Sequence, residues 1–141
     1  MRPTRILLVE DDPADVLLTR RALSETQLHI DLSVAGDGEE ALSYLRRQGG
    51  YADAVRPDLV LLDLTLPKKD GLALLGEVKA DPELWAIPIV ILTASGEADN
   101  IRRAYASHAN SYVCKPASLR EFTEVIREIS HFWTAVVRLS P

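Results

Sequence analysis

The sequence predicts an α/β fold, a doubly wound sheet of five parallel strands with helices on both faces. Three observations lead there. Four short runs, RILLVE (5–10), DLVLLDL (58–64), IPIVILTA (87–94) and SYVC (111–114), are continuously apolar rather than alternating, the pattern of central strands covered on both sides. Helical periodicity fills the stretches between them. The connections are too long for hairpins and long enough for crossovers, which makes the strands parallel.

The elements follow in order. After the first strand, Ala14 to Ser24 places Val16, Leu17, Leu18 and Leu23 near helical spacing, with Asp12 or Pro13 opening the helix. HIDLSVA (29–35) is a weaker, more polar run that suits an edge strand. Gly38 to Arg47 carries Ala41, Leu42 and Leu45, and QGGYADAVRP (48–57) reads as the one long loop. Leu72 to Ala80 carries Leu72, Leu75 and Val78, with Asp70 as candidate N-cap. Ala98 to Ser107 is poor in large apolar residues. The last helix starts at Ser118, with Glu121 at capping-box spacing.

A length of 141 residues suits one domain, read here as filling 1–141 with no output domain. The chain is 47% hydrophobic and 26% charged, with a formal net charge of -5. That balance speaks against direct nucleic-acid binding, which calls for a basic face. A single cysteine, Cys114, excludes an internal disulfide and points to a reducing compartment. The short N-terminal MRPTR leads straight into the first strand, so neither a leader nor a membrane span is expected, and the location expected is the cytoplasm.

In a doubly wound sheet, ligands bind outside the carboxyl ends of the strands. Strand one brings Glu10, Asp11 and Asp12 to that edge; strand three brings Asp63; strand four brings Thr93, Ala94 and Ser95; the last strand brings Lys115 and Pro116. Asp11, Asp12 and Asp63 held close together would repel, and a hard divalent cation with oxygen ligands, Mg²⁺, relieves the conflict. With Lys115 as second positive group, such a cluster can accept a phosphoryl group on a carboxylate oxygen. Thr93 could bond to a phosphoryl oxygen, and small Ala94 leaves room for a donor. No GxxxxGK[ST] run is present, and the acidic turn after strand one would repel a dinucleotide.

Taken together, EDD after strand one, the apolar strand ending in Asp63, LP and DG after it, TAS at strand four and KP after strand five resemble the receiver domain of two-component response regulators. The resemblance implies a flavodoxin-like sheet of order 2-1-3-4-5. It implies phosphorylation of Asp63 by a sensor histidine kinase, and direct Mg²⁺ binding by Asp12, Asp63 and the backbone carbonyl of Thr65, with Asp11 acting through water. Thr93 and Tyr112 would be the switch pair, Lys115 would bridge to the phosphate, and the Lys115–Pro116 bond would be cis. The protein would then be no conventional enzyme, but a phosphoacceptor that assists its own phosphorylation and dephosphorylation. The block GGYADAVRPDLVLLDLTLPKKDG, the block DPELWAIPIVILTAS and the FW…LSP tail look like the single-domain regulators of bacterial phytochromes. That likeness implies a bacteriophytochrome kinase as partner, with an unknown protein downstream.

Alternatives are a phosphorelay intermediate and a haloacid-dehalogenase-type phosphatase; the latter wants an aspartate where this chain has Thr65. Cys114 reads as a packed strand residue, Lys68 and Lys69 as a solvated loop face, and His29, His108 and His131 show no metal spacing. A last helix over 118–137 would be about 30 Å long. Its apolar positions exceed one stripe, and the surplus at Phe132, Trp133 and Val136 predicts a homodimer through this helix and its neighbours.

Overall fold

The computed structural model describes residues 2–141. Five strands, β1 (Thr4–Val9), β2 (Ile30–Ala35), β3 (Leu59–Leu62), β4 (Ile89–Thr93) and β5 (Ser111–Cys114), form one sheet of order β2-β1-β3-β4-β5. Every neighbouring pair is parallel. Between and after them run α1 (Pro13–Ser24), α2 (Gly38–Arg46), α3 (Gly71–Ala80), α4 (Ala98–Ala106) and α5 (Leu119–His131).

The consecutive apolar residues of the inner strands are explained by the pleat, which sends neighbours to opposite faces. Leu7, Val9, Val60, Leu62, Ile89 and Ile91 meet α2, α3 and α4. Ile6, Leu8, Leu59, Leu61, Val90 and Leu92 meet α1 and α5 through Ala22, Leu23, Phe122, Ile126 and Ile129. The two cores share one sheet, so truncating a fully buried strand residue such as Leu61 to Ala would cost about 2–5 kcal/mol.

Helix starts follow their capping residues. Asp12 accepts the Ala14 N–H, Asp37 the Glu40 N–H, Asp70 the Ala73 N–H and Ser118 the Glu121 N–H. Pro13 sits at the first helical position, where its missing N–H costs nothing. The loop 48–57 contains a single 3₁₀ turn, Gly49–Tyr51.

Three expectations are corrected. SYVC is not a central strand: among the described residues β5 pairs only with β4 and leaves Cys114 exposed, so that thiol is not packed. Its apolar residues are half-buried on both faces, with Val113 packed on the α1–α5 side and Tyr112 on the other. Among the described residues no peptide bond is cis, so Lys115–Pro116 is trans; a proline bond tolerates either isomer within about 1 kcal/mol and does not impose one. Lastly, α5 gives way after His131 to a π-helical turn, Phe132–Val136, so the helical backbone is interrupted in hydrogen-bond register rather than uniform to residue 137.

The apolar surplus of that segment divides. Trp133 is half-buried against the α1–α5 core, whereas Phe132 and Val136 stay exposed. The tail beyond Val137 turns back to the base of the sheet and, with Arg5, Arg56 and Trp133, borders a cavity at the end away from the acids.

Two glycines fix the loop between β3 and α3. A Cβ on Gly38 would lie 2.2 Å from the Lys69 carbonyl oxygen, and one on Gly71 would lie 2.5 Å from the Asp63 carbonyl oxygen. No side chain fits at either place, so the start of α2 and the start of α3 both press directly on this loop.

Candidate functional site

The carboxyl ends of β1, β3, β4 and β5 bring together Glu10, Asp11, Asp63, Thr93 and Lys115. Asp63 follows β3 directly and is buried. Its Oδ1 accepts the Thr93 hydroxyl at 2.9 Å and the Thr65 N–H at 3.1 Å. Its Oδ2 accepts from Lys115 Nζ at 3.0 Å. Both oxygens of this buried carboxylate are thus hydrogen-bonded, as its burial demands.

Lys115 Nζ also pairs with Glu10 Oε1 and, at 2.8 Å, with Asp15 Oδ2. Burial works against the ammonium, but Asp15, Glu10 and Asp63 outweigh it and hold the Lys115 pKa above its ordinary value. Burial pushes the Glu10 carboxyl up to about 7, against the pull of Lys115. Carboxylate oxygens of Glu10, Asp11 and Asp63 lie within 4.8 Å of one another, with Asp11 at the solvent side. These are hard oxygen donors with an exposed mouth, and they suit a divalent cation such as Mg²⁺ that keeps part of its water.

Asp12 is not in this cluster. One oxygen of its carboxylate, Oδ1, accepts the Ala14 N–H as N-cap of α1, and it is Glu10 that lies with Asp11 beside Asp63. The local reason is Pro13: a proline at the first helical position makes the preceding aspartate the cap. That signal was present in the sequence and would have moved the acidic pair one residue back, to Glu10 and Asp11. Asp15 is a second residue that sequence reasoning missed, because no local pattern reveals a contact across a hundred positions.

Thr65 is exposed, and its N–H is on Asp63. Tyr112 is half-buried and its hydroxyl donates to the Ser95 carbonyl at 2.7 Å; burial raises its pKa. Cys114 Sγ lies 3.7 Å from the same carbonyl. Lys68 is solvent-exposed, as a solvated loop face requires, with its ammonium 3.5 Å from Asp37; Lys69 is half-buried and pairs with Glu77 at 2.6 Å. No helix among the described residues is long and apolar enough to cross a membrane.

Comparison with known proteins places the chain. Residues 6–127 match the family model of the response regulator receiver domain. The response regulator Rcp1 of Synechocystis sp. is 40% identical over 137 residues, 97% of this chain and 93% of that protein. The crystal structure of its Mn(2+)-bound form superposes with a TM-score of 0.95, covering 99% of this chain and 100% of the other. The phosphorylated cyanobacterial phytochrome response regulator RcpA is 42% identical, with a TM-score of 0.96 and 99% of each chain covered. The bacteriophytochrome response regulator AtBRR is 41% identical, with a TM-score of 0.76 over 98% of this chain and 100% of that one. The chain belongs to the response regulator receiver family, and phytochrome response regulators are among its near relatives.

Proposed function

Starting from receiver-family membership, we propose that Asp63 accepts a phosphoryl group from a phosphohistidine on a sensor histidine kinase of the bacteriophytochrome type. The observation that carries this is Asp63 itself: a buried strand-end carboxylate with an ammonium at 3.0 Å and a hydroxyl at 2.9 Å. Similarity to RcpA and AtBRR supports the kinase class. The chain is read as one receiver domain over 1–141, on the strength of its single sheet and a match that spans 93% of Rcp1.

An Asp63 oxygen attacks phosphorus in line; the phosphorus–nitrogen bond breaks and its electron pair stays on the imidazole. Lys115 turns from Asp63 Oδ2 to a phosphoryl oxygen, and the Thr93 hydroxyl moves to another. Glu10, Asp11, Asp63 and the Thr65 carbonyl would hold Mg²⁺, which when bound neutralises charge on the transferring group. The departure of Thr93 makes room for Tyr112, whose hydroxyl gives up Ser95, so the surface of β4, β5 and their helices changes. The same cluster assists attack by water, which returns Asp63 to its carboxylate. The signal leaves by contact with a downstream protein in the cytoplasm.

Asp63→Asn should abolish acid-stable, hydroxylamine-labile phosphate incorporation from a phosphorylated kinase. Undiminished labelling would put the acceptor elsewhere. The exposed pair Phe132 and Val136 supports a homodimer through the end of α5 and its neighbours. Sedimentation equilibrium should show dimers at tens of micromolar, and a monomer alone there rejects that interface.

A further inference from the structure

Lys115 has three N–H donors, and each meets a carboxylate from a different element: Glu10 after β1, Asp63 after β3 and Asp15 in the first turn of α1. Glu10 and Asp63 belong to the acidic cluster with Asp11; Asp15 does not. Among the described residues the Asp15 carboxylate makes no other hydrogen bond, and its side chain is 24% exposed while that of Lys115 is 9% exposed. An acid in the first turn of a helix is favoured by the dipole alone. That effect does not require an ammonium at 2.8 Å, brought in from the far end of the chain by β5.

We propose that Asp15 is a positioning residue that tethers the Lys115 ammonium to α1 and competes with Asp63, and with a phosphoryl group on it, for that amine. The proposal rests on Asp63 being the acceptor. When Lys115 turns to a phosphoryl oxygen, all three donors are already engaged, so one bond must be released. Glu10 and Asp15 are then the remaining anchors, and Asp15 is the one on a helix. It keeps the amine within a short swing of the site. Its negative charge also opposes transfer of the amine's bond to the incoming anion. Asp15 therefore sets how tightly the site holds a phosphoryl group and links that hold to the position of α1.

The test uses the full chain with magnesium chloride and beryllofluoride, a phosphoryl mimic. Asp15→Asn keeps the shape and removes the charge, and should tighten beryllofluoride about fivefold. In a Lys115→Ala background the same change should leave affinity within about twofold, because the effect runs through the amine. Equal tightening in both backgrounds means the charge acts on the site directly and overturns the proposal; no tightening in the presence of Lys115 overturns it too. Should the double variant not fold, the ¹⁵Nζ resonance of Lys115 decides: a shift on Asp15→Asn supports the tether, and an unmoved signal rejects it. Failure of the unsubstituted protein to bind beryllofluoride would instead defeat the acceptor reading, and this proposal with it.

Discussion

Thr93 rests on Asp63: its hydroxyl donates to Asp63 Oδ1 over 2.9 Å, and both side chains are buried. The same oxygen takes the Thr65 N–H, and the other takes Lys115. Neither oxygen is idle. Each oxygen already carries a bond, so a group added to either one is felt directly by Thr93, the Thr65 amide or Lys115.

Thr93→Val keeps the volume and removes the donor. It should cost about 1 kcal/mol in stability, because Asp63 Oδ1 retains the Thr65 N–H. It should leave phosphate incorporation possible while uncoupling Tyr112. NMR signals of the Tyr112 ring should move on addition of beryllofluoride in the unsubstituted protein and stay still in the variant. Equal movement in both would remove Thr93 from the switch.

The acidic pair sits one residue earlier than EDD suggests, and two substitutions separate the roles. Asp11→Asn should weaken Mg²⁺ by about tenfold or more, read by calorimetry. Asp12→Ala should leave Mg²⁺ within about twofold and cost about 1 kcal/mol of stability through the lost cap. The opposite outcome would restore Asp12 as ligand.

Asp58 anchors the N-terminal strand far from the site. Its carboxylate accepts from the two terminal guanidinium nitrogens of Arg2, at 2.9 and 2.7 Å, and from the Arg5 N–H at 2.8 Å. Burial alone would raise its pKa, but Arg2 and the Arg5 amide outweigh burial and hold it below the ordinary value. A depressed folded-state pKa means that the stabilisation is present above the unfolded value, about 3.9, and is lost as pH falls through the folded one. Asp58→Asn should therefore destabilise by about 1–2 kcal/mol at pH 7. Urea titrations across pH should show the two proteins converging below about pH 3.9; a constant gap down to acid pH would reject the ion pair as the cause.

Much of this was legible in the sequence because it is encoded locally. The apolar runs through Leu61 and Ile91 mark buried strands, Asp70 marks the start of α3, and the four strand ends deliver the acids, Thr93 and Lys115 to one edge. What was not legible depends on partners distant in sequence. Composition does not say whether SYVC lies inside the sheet or at its rim; the order of crossovers does, and only the family resemblance supplied that order. Cys114 looks like filler until β5 is known to have nothing beyond it. The π turn after His131 leaves no periodic trace, and the Asp15 contact needs the rotamers of two residues on different elements. The shift from Asp12 to Glu10 was different, because Pro13 had already announced it.

The glycine contacts at 38 and 71 give the response a direction. The loop leaving Asp63 is gripped by the starts of two helices, chiefly through its main chain and the Cβ of Lys69, atoms that no side-chain rotation can move aside. The other flank is softer: Ala94 is exposed, and Ser95 is held by the hydroxyl of Tyr112, which can let go. Strain introduced at the acceptor is therefore vented sideways across the sheet toward β5, leaving the α2–α3 flank as a stationary frame.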